Sequence, residues 1–257
     1  MELLKKFDTP DITSFVFHPR KAENGFSDVK RIKIETEKDI TIGASFFEAS
    51  KEAPFILYFH GNGEIVNDYD ELGQIFAQHN INFMPVDYRG YGFSTGTPSL
   101  CSMISDAGII ADFALKFRKD NNFTGKFAVM GRSLGSASAI ELAYSKDYFD
   151  ALIIESGFFD FKKLLGNLGF YDRKFENIDD PLKHKEKISA FKNPVLIIHG
   201  EYDEIIPFSE GRKLFENAGT ENKKLIKILN AGHNTIFSFG LNEYFSSIAA
   251  LLFSHES

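Results

Sequence analysis

The 257-residue sequence contains no tryptophan and a single cysteine, Cys101. One cysteine cannot form a disulfide within the chain, so the fold does not require an oxidising compartment. Lysine and arginine together number 29 against 36 aspartate and glutamate residues, which gives a net charge of −7. Nucleic acids and anionic membranes are bound by clustered basic residues, so this balance predicts neither as a partner.

Long hydrophobic runs are also absent. The start of the chain, MELLKKFDTPDITSF, holds no apolar stretch long enough for a signal peptide. No run approaches the roughly 18 apolar residues of a transmembrane helix. The longest candidate, 248–253, fits the buried face of a terminal helix. We therefore expect a cytoplasmic protein without an integral membrane segment.

Short apolar runs without polar alternation recur along the chain and predict strands buried on both faces. They lie at 55–59, 83–86, 127–130, 151–154, 195–198 and 225–229. Segments with helical periodicity, 65–79 and 105–119, lie between them. A hairpin over 30–35 and 40–47 would add an antiparallel edge. The pattern predicts an α/β fold with a mostly parallel sheet of about eight strands and helices on both faces.

The connection between the fourth and fifth of these runs is longer than a usual strand–helix–strand link. It contains FFDFKKLLGNLGFYDRKF, and no linker composition sets it apart. We expect a single domain over 1–257 with a small helical cap inserted at about 157–192.

The motif GRSLG at 131–135 matches G-x-S-x-G between an apolar strand and a helix of small residues. A sharp strand-to-helix turn lifts the serine hydroxyl clear of the sheet, and flanking glycines let the backbone pass closely. The helix N-terminus directs N–H groups at developing negative charge. The pattern predicts Ser133 as a nucleophile, whereas Arg132 is expected to pair with a neighbouring carboxylate.

A serine nucleophile requires a base, and the loop after the last predicted strand supplies one. His233 lies there, in NAGHN at 230–234. A base on a loop at the carboxyl edge of the sheet is the expected arrangement. The other histidines have no motif. Two of them end predicted apolar strands, as buried imidazoles often do: His60 and His199. The other four have polar surroundings typical of the protein surface: His18, His79, His184 and His255.

The base in turn requires a carboxylate that fixes its tautomer. The loop GEYDEIIP at 200–207 follows an apolar strand. Asp203 lies in the middle of this loop and is favoured over Glu204. The order Ser133, Asp203, His233 is that of one hydrolase fold class and neither the chymotrypsin nor the subtilisin order.

The segment HGNG at 60–63 follows the first central strand, where a glycine turn can direct an N–H group inward. We expect the backbone amides of Asn62 and Leu134 to bind an oxyanion, with a plain glycine turn as the alternative.

The segment GYGFSTG at 90–96 is one residue too long for a dinucleotide fingerprint. The histidine and acidic residues of HGEYDE do not have zinc-ligand spacing. No cofactor and no metal are predicted.

Five segments carry a resemblance to a known family: HGNGE at 60–64, VDYRGYGFSTGTPS at 86–99, GRSLGSASAI at 131–140, LIIHGEYDEIIPFSEGRKLF at 196–215 and NAGHN at 230–234. Together they resemble the α/β-hydrolase superfamily and, more narrowly, its Bem46/ABHD17-like branch of serine hydrolases. The resemblance runs from about Lys30 to the end of the chain. It implies an eight-stranded sheet, the triad given above, and hydrolysis of an ester or thioester in a small-molecule or acylated substrate.

Two alternative functions stay open because the fold serves many activities. An amide- or peptide-cleaving hydrolase would use the same triad, with Glu155 as a carboxylate for a free α-amine. A non-catalytic hydrolase-fold protein would bind a partner instead.

In the cap, Phe158, Phe159 and Phe161 are candidates for an apolar substrate pocket, or else they pack the cap onto the sheet.

Overall fold

A computed structural model describes residues 2–23 and 29–253. This part of the chain contains eight strands: β1 Lys30–Glu37, β2 Ile40–Phe46, β3 Phe55–Phe59, β4 Asn82–Val86, β5 Phe127–Arg132, β6 Ala151–Glu155, β7 Val195–Gly200 and β8 Lys223–Ile228. They form one sheet in the order β1-β2-β4-β3-β5-β6-β7-β8. β2 is antiparallel to β1 and β4, and all other neighbours are parallel. The predicted mostly parallel sheet with an antiparallel edge is confirmed.

Burial along the strands explains why the central runs lack polar alternation. Every residue of β3, β4, β5, β6 and β7 is buried. The edge strands β1 and β8 instead place buried and exposed residues alternately over part of their length. Strands covered on both faces must be apolar throughout, whereas an edge strand with a solvated face carries polar residues at every second position.

Two layers of helices cover the sheet. The helices of the described residues are α1 Glu2–Phe7, α2 Pro10–Val16, α3 Asp70–Gln78, α4 Leu100–Asp120, α5 Gly135–Ser145, α6 Phe161–Asn167, α7 His184–Ala190, α8 Phe208–Asn217 and α9 Ile236–Leu252. α3 and α9 pack in one apolar cluster, and α4, α5, α7 and α8 pack in the other. None of these helices is long and apolar enough to cross a membrane.

The long connection between β6 and β7 has two parts. Its last helix, α7, packs on α5 and α8 in the helical layer. Its first part, α6 and a 3-10 turn at Arg173–Phe175, packs against the N-terminal helices. The ring of Phe7 stacks on Phe175 at 4.4 Å, and that of Phe15 lies 5.3 Å from Phe170. The N-terminal segment and the predicted cap therefore pack against each other.

The histidines fall mostly as their surroundings predict. His60 and His199, which were predicted at strand ends, are buried. His18 and His79, which were predicted at the surface, are exposed. His255 lies outside the described residues. His184 differs, because its imidazole is buried beside the Phe158 ring and its Nδ1 donates to the Phe158 carbonyl at 2.9 Å. Burial lowers the pKa of His184 to about 3.

This buried imidazole predicts a loss of stability in mild acid. Below the ordinary histidine pKa of 6.5 the unfolded chain binds a proton that folded His184 excludes, so the free energy of unfolding falls as the pH drops toward 3. Between pH 7 and pH 5 this group should cost about 2 kcal/mol. Urea unfolding at both pH values should show that loss in the wild type and not in His184→Asn, whose amide can donate to the same carbonyl. Equal losses in the two proteins would contradict the assignment.

Candidate active site

Ser133 occupies the turn between β5 and α5 in a left-handed conformation, with φ of 51°. Its N–H donates to the Glu155 carbonyl at 2.9 Å. A Cβ at Gly131 would overlap the backbone of Gly135, and one at Gly135 would overlap the backbone of Phe59. Both glycines of the motif are therefore required by close backbone approach, and the serine holds a conformation that costs a non-glycine residue energy.

The structure brings together the three residues predicted as nucleophile, base and acid. His233 Nε2 lies 3.1 Å from Ser133 Oγ, and His233 Nδ1 lies 2.8 Å from Asp203 Oδ2. All three side chains are at least nine-tenths buried. The alternative acid, Glu204, instead accepts the backbone N–H of His233, at 3.3 Å. This arrangement allows the imidazole to take a proton from the serine while the aspartate holds its other nitrogen.

Asp203 is held as an anion by several donors. Its Oδ1 accepts the N–H groups of Ile205 at 3.1 Å and Ile206 at 2.8 Å. Its Oδ2 also lies 3.3 Å from Nε2 of His199, the last residue but one of β7. Burial raises the pKa of this carboxyl, but the hydrogen bonds from His199, His233 and the backbone hold it well below its ordinary value. A permanently ionised carboxylate is what a positively charged imidazole requires as a partner.

The two predicted oxyanion donors lie on either side of the serine turn. Asn62 follows β3, and its side-chain Oδ1 accepts the N–H of His18 at 2.9 Å and the hydroxyl of Tyr91 at 2.7 Å. Leu134 directly follows the serine. Among residues 2–23 and 29–253, neither backbone N–H donates a hydrogen bond to another protein group. Both residues line the same cavity as Ser133, and the expectation that their amides bind an oxyanion stays a prediction.

Arg132 pairs with carboxylates, as expected, and it also contacts the loop of the base. Its Nε donates to Glu155 at 3.0 Å, and its Nη1 forms an ion pair with Glu64. Its Nη2 donates to the His233 carbonyl at 3.0 Å and to Asn234 Oδ1 at 2.8 Å. One guanidinium therefore joins three segments that surround the serine.

Further polar residues support this guanidinium and were missed by the sequence analysis. Glu64 Oε2 accepts the Gly61 N–H at 2.6 Å and the Tyr69 hydroxyl at 2.5 Å. Tyr244 donates to Glu155 at 2.9 Å. Glu64 is the last residue of the HGNGE segment and could have been noted there. The two tyrosines belong to no motif.

A cavity of about 440 Å³ opens over the serine. Its charged lining side chains, Glu64 and Arg132, are paired with each other. Most of the remaining lining is apolar and comes from the loop after β7 and from two helices. Phe15 and Val16 lie on α2, Leu164 and Leu165 lie on α6, and Leu168 directly follows α6. In the described part of the chain, no group of three or more histidine, cysteine or acidic side chains could hold a metal ion.

The three phenylalanines expected in the pocket are placed elsewhere. Phe158 and Phe161 are fully buried in the core, and the Phe161 ring lies edge-on to Phe7 at 6.4 Å. Phe159 is half-buried, with its N–H near Glu210 at 3.2 Å. None of the three lines the cavity. The expectation is therefore corrected, because α6 directs its leucines toward the cavity and Phe161 toward the core.

Sequence comparison relates the chain to known hydrolases. Residues 50–175 match the family model described as serine aminopeptidase, S33. Protein bem46 of Schizosaccharomyces pombe is 30% identical over 87% of this chain and 76% of its own length. Alpha/beta hydrolase domain-containing protein 17B of Homo sapiens is 31% identical over 80% of this chain and 69% of its own length.

Solved structures share the fold at lower identity. An esterase of Pyrococcus furiosus is 17% identical with a TM-score of 0.73, over 91% of this chain and 97% of that one. Est1E of Butyrivibrio proteoclasticus with bound ferulic acid is 18% identical with a TM-score of 0.68, over 84% and 96%. These similarities show that the chain has the α/β-hydrolase fold.

The strained backbone of Ser133 predicts that glycine at this position is more stabilising than alanine. Ser133→Gly should unfold with a free energy about 0.5–1 kcal/mol higher than Ser133→Ala, because glycine adopts positive φ without strain. Both variants lose the hydroxyl, so their comparison isolates the backbone. Chemical denaturation at neutral pH measures the difference. A Ser133→Gly protein less stable than Ser133→Ala would show that this turn stores no strain.

Proposed function

The chain belongs to the α/β-hydrolase family that includes protein bem46 and alpha/beta hydrolase domain-containing protein 17B, and on that basis we propose that it is a serine hydrolase of carboxylic esters or thioesters. The observation that carries this proposal is the continuous contact from Ser133 Oγ through His233 to Asp203. Neither a cofactor nor a metal enters the proposed reaction, and the predicted absence of a nucleic-acid partner and the cytoplasmic location stay predictions.

The proposed reaction proceeds through an acyl-enzyme. Ser133 Oγ attacks the carbonyl carbon of the substrate as His233 Nε2 takes the hydroxyl proton. The amides of Asn62 and Leu134 bind the resulting oxyanion, each donor being worth about 3–4 kcal/mol in comparable sites. The intermediate collapses, and the departing alcohol or thiol takes the proton from His233. Water then attacks the acyl group by the same steps and restores the serine.

Amide cleavage is the second candidate, because the matched family model is described as a serine aminopeptidase. That activity would use a carboxylate to bind the free amine of a peptide, and Glu155 was the candidate. Glu155 is only 1% exposed, pairs with Arg132 and Tyr244, and does not line the cavity over the serine. These contacts favour ester or thioester substrates. The complete Ser133–His233–Asp203 contact disfavours a purely binding role.

We also propose that part of the segment 157–192 acts as the cap. Support comes from α6, whose leucines line the cavity. α7, at the other end of that segment, packs on α5 and α8. The cap of this proposal is therefore the stretch up to about the start of α7, which with α2 covers the cavity.

A series of p-nitrophenyl esters from acetate to palmitate tests the proposed activity. The wild type should hydrolyse at least part of the series, and Ser133→Ala should reduce kcat by about 10³-fold or more. An acyl thioester and a p-nitroanilide assayed in parallel separate the leaving-group classes. Turnover that survives in Ser133→Ala would exclude Ser133 as the nucleophile, and cleavage of the anilide alone would favour the amide-cleaving alternative.

The assignment of the acid predicts a contrast between neighbours. Asp203→Asn should lower kcat by about 10⁴-fold, because an amide cannot hold the imidazole in the reactive tautomer or balance its charge. Glu204→Gln is the matched control, since Glu204 contacts only the backbone of His233, and it should lower kcat far less. Steady-state measurement of kcat for both variants at pH 7.5 tests this contrast. Similar losses in the two variants would contradict the assignment of Asp203.

A further inference from the structure

The N-terminal segment is fixed to the hydrolase fold at two points. Before α2, the Asp8 carboxylate accepts the backbone N–H groups of Leu100 at 2.8 Å and Cys101 at 3.1 Å, at the start of α4. After α2, the His18 N–H donates to Asn62 Oδ1, and Arg20 Nε donates to the Gly63 carbonyl at 3.2 Å. The second attachment is on the loop that carries the proposed oxyanion donor. The intervening helix is thereby held in place beside the serine.

α2 covers the cavity with its apolar side. Ile12 is fully buried and Val16 is 5% exposed, whereas Phe15 is half-buried. Phe15 and Val16 both line the cavity over Ser133. Phe15 also contacts Phe170 in the segment after α6, at a ring distance of 5.3 Å. This wall precedes residues 50–175, so it lies outside the region that the family model matches.

The chemistry of the cavity indicates the group that it can hold. α2 supplies an aromatic and an aliphatic side chain, and α6 with the residue that follows it supplies three leucines. The charged lining residues, Glu64 and Arg132, neutralise each other. A charged acyl group would therefore lose its hydration without gaining an unpaired charge from either of these two residues. An uncharged aliphatic chain has no charge to dehydrate, and it gains apolar contact with these side chains.

We infer that α2 forms one wall of an acyl-binding site for uncharged aliphatic chains, and that Phe15 is a specificity-determining residue of this site. The inference rests on the proposed esterase function, because acyl length is read from ester turnover. Phe15 lies at the partly exposed part of the wall, so its ring contacts chains longer than acetyl more than it contacts acetyl itself.

Phe15→Ala tests the inference through the ratio of kcat/KM for p-nitrophenyl octanoate to that for p-nitrophenyl acetate. The ratio should fall about tenfold, as expected for the loss of part of a buried aromatic contact. Leu168→Ala, at the residue directly after α6 and 43% exposed, should lower the ratio in the same direction without removing a core residue. Phe159→Ala is the matched control, because Phe159 lies near the cap but does not line the cavity. An unchanged ratio in Phe15→Ala and Leu168→Ala, or an equal fall in Phe159→Ala, would overturn the inference.

A binding measurement separates failure of this inference from failure of the proposed function. Octanoate is titrated by calorimetry into Ser133→Ala and into Ser133→Ala combined with Phe15→Ala. Weaker binding in the double variant supports the acyl wall even if no ester is hydrolysed. Ser133-dependent ester hydrolysis together with equal octanoate binding in the two proteins would leave the proposed function standing and refute the role of Phe15. The ω-carboxylated probe suberate should bind more weakly than octanoate, and equal binding would refute an uncharged acyl site.

Discussion

The arrangement of the site depends on one buried guanidinium. Arg132 lies between Glu64 on the loop after β3 and Glu155 at the end of β6, and it also holds the backbone of the loop that carries His233. Burial lowers the pKa of Arg132, but the two carboxylates outweigh it and raise that pKa above its ordinary value. Buried ion pairs of this kind often add little net stability, although removing one partner costs about 3–5 kcal/mol. The ion pair fixes positions here. Ser133, the loop after β3 and the loop that carries His233 cannot shift independently while Arg132 contacts all three segments.

Parallel topology explains why residues far apart in the chain meet at this guanidinium. The carboxyl ends of β3, β5, β6 and β7 lie side by side, with Arg132 in register with Glu155. The loops that follow these strands therefore project from one edge of the sheet, where α/β folds place their ligands. Ser133 and His233, 100 residues apart, therefore come within hydrogen-bond distance. The antiparallel edge formed by β1 and β2 lies away from this convergence.

The parts of this architecture that were predictable are those that a local pattern encodes. Unbroken apolar runs predicted the central strands, and spacing around Ser133, Asp203 and His233 predicted residues that the structure brings together. Periodicity missed the start of α4, because the helix begins at a cap, where the Ser99 side chain accepts the Ser102 N–H, five residues before the apolar pattern becomes clear. Phe161 and His184 were misplaced for another reason: residue type does not tell which way a side chain points when aromatic residues occur throughout the chain. The contribution of α2 had no motif at all, because it arises from contacts between segments more than 140 residues apart, such as Phe15 with Phe170.

Some local conflicts with ideal structure lie at the site itself. Ser133 and Ser156, which follow β5 and β6, both hold positive φ. His199 directs Nε2 toward Asp203 and the Ile206 carbonyl, which leaves its buried Nδ1 without a partner among the described residues. A Cβ at Gly211 would lie 2.5 Å from that nitrogen, so only glycine allows α8 to pack there. Strain and unpaired polar atoms are destabilising, and they persist where surrounding packing holds them in place. The fully buried central strands supply that packing. They therefore hold the side chains of Ser133, His233 and Asp203 in a geometry that an isolated turn would not adopt.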